Sequence, residues 1–230
     1  LDALAIQPGE HGAAYAVFDF GGGTTDFDFG YYRSPSEEEE DEGFERVFEH
    51  FAPAGDKFLG GENLLENMAY RVFRYNLDLC QKYQIAFTQP LDADPFPGSE
   101  IYLEKTQAAY SNTMLLISEL RPFWETPSTA EPDIEDKTCT MDLFNRAGEK
   151  VSCDFVIPYG ELAEYLEQRI ALGIDKFIAA LGQAFTPLPE EIHILLAGNS
   201  SRSLWISRLW GLADDRQDAL IFTRMTEIGR

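Results

Sequence analysis

Apolar and polar residues alternate with two different periods along this chain, and the periods set out its elements. Residues 14–18 form a short apolar run. Phe27, Phe29 and Tyr31 then alternate with Asp26, Asp28 and Gly30, the period-two pattern of a second strand. Residues 44–51 read as a third strand, with Val47 and Phe51 on one face and Phe44 and Phe48 on the other. The period then lengthens. Leu64, Leu65, Met68, Val72, Phe73 and Leu77 recur at spacings of three and four, which predicts an amphipathic helix. A second helix is expected over 101–124, stopped by Pro122 and Pro127. Residues 138–143 and 151–157 form a hairpin about Asn145–Gly148, and Pro158 opens a long helix. Its stripe of Leu162, Leu166, Ile170, Ile174, Ile178, Leu181 and Phe185 reads as core. An apolar strand at 192–197, a helix carrying Leu204, Trp205, Leu209 and Trp210, and a strand at 220–223 complete the series.

Between these elements, the acidic run Glu37–Glu42 reads as a solvated loop, and Pro90, Pro95, Pro97 and Gly98 mark another at 88–100. Residues 1–12 read as a lead-in or the end of a helix. Because the chain starts at Leu1 and runs at once into a strand, it is expected to be a piece of something longer.

Composition narrows the class. At 44% hydrophobic and 13% aromatic residues the chain is globular rather than disordered. Its formal charge of −22, with no basic patch, excludes nucleic acid and anionic membrane surfaces as expected partners. No apolar stretch approaches the roughly 18 residues of a membrane span, and no signal peptide is visible. Cys80, Cys139 and Cys153 lack metal spacing and read as reduced structural thiols, which points to a cytoplasmic location.

Three glycine-bearing stretches carry the candidate chemistry. In the first, Gly21, Gly22 and Gly23 join two strands. A Walker A loop needs a lysine and then a helix, and a dinucleotide fingerprint also opens a helix, so neither applies. Successive glycine N–H groups can instead converge on a phosphate. Asp19 could hold a hydrated Mg²⁺ through its water shell, with Thr24 as a hydroxyl donor and Asp26 as a second carboxylate. The competing reading is an ordinary hairpin with glycines at positive φ. In the second stretch, Gly60 and Gly61 precede the helix that follows, where a backbone can approach an anion. A plain turn with Asn63 as N-cap competes with that. In the third, Gly198, Asn199, Ser200, Ser201 and Arg202 follow the apolar strand; the glycine permits close approach and the arginine can stack on a base. A turn before a capped helix is the plainer alternative.

Taken together, these motifs resemble the heat-shock-protein-70 (DnaK-like) chaperones. Asp19–Asp26 is similar to the second phosphate loop of actin-like ATPases, residues 54–63 to the family's A-G-D-x-x-L-G-G-E-D/N element, and 198–202 to its adenosine motif. The resemblance implies an α/β fold: the second lobe of an actin-like ATPase (ribonuclease H-like) domain, with a mixed sheet and helices plus an inserted α+β subdomain. Residues 1–63 and 186–230 would form the nucleotide-contacting part, and 64–185 the insertion. It implies ATP or ADP with Mg²⁺ as ligands. Asp19, Thr24 and Asp26 would serve catalysis, with Asp19 and Asp26 at the metal. Gly21, Gly22, Gly23 and Thr24 would hold phosphate, Gly60 and Gly61 would approach it, and Glu62 would meet the ribose. Glu119 would correspond to the glutamate of the family's E-x-A-K-x-x-L-S motif, with Pro122 standing where a lysine is expected. Gly198, Asn199, Ser200 and Arg202 would face adenosine. The implied partners are the first lobe of the same ATPase, co-chaperones and client proteins. The isolated chain is expected to bind nucleotide weakly without appreciable turnover. A non-catalytic scaffold and an actin-like filament or cell-division protein remain as alternatives.

Overall fold

A computed structural model describes residues 12–125 and 132–211, and the backbone of 220–222. The lead-in at 1–11 and the end of the expected last strand, Thr223, lie outside the described residues. In chain order the elements begin with β1 (Ala13–Phe20), β2 (Thr25–Arg33), α1 (Glu37–Asp41), β3 (Val47–Asp56), α2 (Gly61–Tyr75), α3 (Leu77–Tyr83) and α4 (Gln107–Trp124). They continue with β4 (Lys137–Phe144), β5 (Lys150–Ile157), α5 (Tyr159–Ala184), β6 (Ile192–Ala197), α6 (Leu204–Leu209) and β7 (Leu220–Phe222). The fold is mixed α/β. It divides into two compact units: residues 1–60, 170–202 and 206–230 form one, and residues 61–169 and 203–205 the other. No helix among the described residues is long and apolar enough to cross a membrane.

The first unit is built on a five-stranded sheet in the order β3-β2-β1-β6-β7. β1 and β2 are antiparallel, as are β2 and β3, whereas β1 and β6 run parallel. Alternation puts Phe18 and Phe20 of β1 and Phe27 and Phe29 of β2 on one buried face. There Phe177 of α5 stands edge-on to Phe18 and Phe27, with ring centroids 5.4 and 5.2 Å away. Between the pairs Phe27–Ala54 and Phe29–Phe51 the β3 strand bulges, with Ala52 at φ 50° beside Pro53.

The acidic run is not a loop. Residues 37–41 form a helical turn, because Ser36 and Glu39 make a reciprocal capping box and the carboxylates sit at the positive end of the turn. Arg33 also grips Glu39 with two hydrogen bonds, at 2.7 and 2.9 Å. The third strand accordingly starts at Val47 rather than at Phe44.

In the second unit the apolar face of α2 is buried through Leu64, Leu65, Met68, Val72 and Phe73. The predicted helix is in fact two, broken at Asn76. Helix α4 starts at Gln107 rather than 101, since the Thr106 side chain accepts from the Ala109 N–H and caps it there. Pro122 lies inside the helix's last turn rather than stopping it. The β4–β5 hairpin forms as expected. Each of its two outer edges is met by a buried asparagine. On β4, the Phe144 N–H donates to Asn112 Oδ1 (2.7 Å) and the Asn112 amide donates to the Phe144 carbonyl (2.8 Å). On β5, Asn76 makes the same pair of bonds with Val156, at 2.9 and 2.8 Å. Both side chains thus act as a one-residue substitute for a neighbouring strand.

Candidate functional site

The parallel pairing of β1 and β6 sets the candidate site. Its register places Asp19 beside Ala197, so the first and third glycine motifs emerge together at the carboxyl ends of adjacent strands. That end of an α/β sheet is where ligands commonly bind. Gly198 adopts φ 84°, and a Cβ there would overlap the Phe20 carbonyl and come within 2.6 Å of Asp19 Oδ1. The Ser200 hydroxyl donates to the Gly21 carbonyl at 3.0 Å, tying one motif to the other. Asn199 is exposed in the short 3-10 turn between them. Arg202 ends that turn; its side chain is exposed and has no ion-pair partner among the described residues.

The Gly21 N–H donates to the Thr24 carbonyl at 2.9 Å and closes the hairpin loop. The N–H groups of Gly22, Gly23 and Thr24 have no partner among the described residues, and all three residues are exposed. None of the three loop glycines has a positive φ, so left-handed backbone does not explain them. The second motif supplies a different constraint. A Cβ on Gly60 would overlap the backbone of Gly22 and Gly23. The buried Thr25 hydroxyl donates to the Leu59 carbonyl, and a Cβ on Gly55 would approach the Thr25 carbonyl to 2.6 Å. Residues 55–60 therefore back the glycine turn. Asp56 anchors them: its carboxylate accepts from the Phe58 N–H (3.0 Å) and pairs with Lys176 of α5 (2.7 Å).

Asp19 and Asp26 are direct partners across the β1–β2 ladder, and both are exposed. Thr24 donates its hydroxyl to Asp26 Oδ2 at 3.1 Å and fixes that carboxylate's direction. Like charges directly opposite across a ladder are destabilising unless a cation lies near them. Among the described residues no group of three or more metal-binding side chains occurs. Two carboxylates suit Mg²⁺, which keeps most of its water and needs few protein ligands, while the unpaired N–H groups beside them suit an anion.

The remaining predicted residues belong to the second unit. Gly61 opens α2, so Asn63 lies within the helix instead of capping it, and its buried Oδ1 has no hydrogen-bond partner. Glu62 is exposed and held by Arg121 of α4 through two bonds, at 2.8 and 2.9 Å. Glu62 is also the main reason the Arg121 guanidinium is held even more firmly protonated than usual. Glu119 is not part of this pair. Two residues along a helix turn the side chain through about 200°, and Glu119 instead lines a cleft beside Cys139. The Cys139 thiol is pushed up by burial and then by Glu119. Sequence reasoning passed over Arg121. Its signal was its position one residue before Pro122, where the resemblance expects a base.

No protein-family model matches the chain, and no curated protein matches it in sequence.

Proposed function

We propose that the chain is a nucleotide-binding lobe that takes Mg²⁺-bound ATP or ADP, as in the heat-shock-protein-70 chaperones it resembles. The observation that carries this reading is the convergence of three motifs, far apart in sequence, at the joined ends of β1 and β6. In this reading the N–H groups of Gly22, Gly23 and Thr24 donate to phosphate oxygens, with Gly60 allowing the turn to close. Asp19 and Asp26 hold the hydrated metal, which neutralises phosphate charge. Gly198 and Ser200 shape the adenosine side, and Arg202 supplies a planar cation for the base.

Phosphoryl transfer rests on positioning and on charge stabilisation from all around the phosphate. The residues assembled here supply one wall. A second lobe is therefore part of the proposal, and the chain on its own binds without appreciable turnover.

Calorimetric titration of Mg·ADP into wild type, Asp19→Ala and Arg202→Ala tests the reading. The expected result is wild-type binding weakened at least about tenfold in each variant. Equal binding by all three folded proteins would overturn it.

A further inference from the structure

We propose that the open edge of β4 is a docking groove for an extended, basic peptide segment of a partner protein, which would pair with β4 as an added strand. The argument starts from Asn112. Because it satisfies both the N–H and the carbonyl of Phe144, those two groups point outward from the hairpin. In an antiparallel ladder the outward groups recur at every second residue, so Asp142 and Thr140 present theirs on the same edge. Asn112 covers Phe144 alone. The N–H groups of Thr140 and Asp142 have no partner among the described residues. An uncovered row of strand donors and acceptors is a template for pairing.

The edge also borders a hollow. A cleft of about 400 Å³ lies between α4 and β4, walled by Leu115, Ser118 and Glu119 on one side and Thr140, Asp142 and Phe144 on the other. Leu115 is 41% exposed, leaving an apolar wall open to solvent.

Charge selects the occupant. Glu119 and Asp142 face the cleft, and Asp154 stands next to it, bonded to the Thr140 hydroxyl at 2.6 Å. Lys150 is the one base among the lining residues, and its ammonium lies 5.8 Å from the Phe144 ring centroid. A strand alternating basic and small apolar side chains would set its cations by Asp142 and Glu119 and its apolar residues against Leu115. A second copy of this chain fits less well, because pairing two β4 edges would bring these acids against their counterparts.

A fluorescent hexapeptide alternating lysine and valine serves as the probe, titrated into the full chain. Expected are saturable binding and an approximately tenfold slowing of amide exchange at Thr140 and Asp142. The same peptide methylated on every backbone nitrogen keeps its side chains and should lose at least about tenfold in affinity. Thr140→Pro removes one edge donor that takes no part in the β4–β5 ladder, and should weaken binding similarly. Asp142→Lys provides a second variant that leaves the backbone unaltered, and it should weaken the lysine peptide while admitting a glutamate–valine one. Unchanged affinity on methylation, binding without protection of β4, or concentration-dependent dimerisation that protects the same amides would each overturn the proposal.

Discussion

Gly60 and Gly198 are glycines because other backbone occupies the space a side chain would need. At Gly60 the obstacle is the turn at Gly22 and Gly23; at Gly198 it is the Phe20 carbonyl, compounded by φ 84°. Gly60→Ala should therefore destabilise the fold by about 2–4 kcal/mol in denaturant unfolding. Gly23→Ala, with nothing within 4 Å of the added atom, should stay within about 0.5 kcal/mol of wild type. Equal costs at the two positions would refute the packing account. The sequence showed that glycine was needed at these positions but not what approached them. It suggested a ligand near Gly198 and did not reveal that Phe20 and Asp19 also lie against that position. The Glu62–Arg121 pair was hidden for a similar reason. Whether residue 119 or 121 turns toward α2 depends on a helical rotation that spacing alone does not fix.

At the scale of elements, the hydrophobic periods found the strands and long helices, and local capping chemistry moved their ends. The run Glu37–Glu42 shows why: six consecutive acids suggest a loop, yet Ser36, Glu39 and Arg33 convert part of the run into a turn of helix. The Arg33 guanidinium, and after it the Ser36 N–H, hold the Glu39 carboxyl down at about 2. Since the folded value lies below the ordinary one of 4.5, the stabilising effect is complete above that pH and is lost as pH falls through about 2. Carboxyl NMR titration should show a midpoint for Glu39 well below the ordinary 4.5; a midpoint near 4.5 would contradict this. The two asparagines that each cover a single residue on the β4–β5 edges, Phe144 and Val156, lie outside any sequence motif, and only the fold gives them meaning. Asn112→Leu leaves the Phe144 N–H and carbonyl and the Ala86 carbonyl without their partner. It should cost about 3 kcal/mol, read from chemical unfolding.

For the molecule as a whole, the stripe from Leu162 to Phe185 was legible as a buried face except at Ile178, which is half-buried while Phe177 beside it is buried, but periodicity does not say what covers it. In the structure Leu162 and Leu166 belong to one unit and Leu181 and Phe185 to the other. The formal charge of −22 sets a field that opposes any anion approaching the β1–β6 end. Screening weakens that field, so the association rate of Mg·ADP should rise, by about twofold, as ionic strength increases from about 20 to 200 mM. A steep fall in rate would mean that a local basic field dominates instead. The central claim is that the nucleotide phosphates sit on the glycine turn beside Asp19. Its most direct test is an amide NMR titration of the chain with Mg·ADP, repeated with Asp19→Ala. The account predicts saturable shifts at Gly22, Gly23, Thr24 and Gly198 that disappear in the variant. A folded wild-type protein whose amides at these positions stay unmoved at millimolar nucleotide would contradict it.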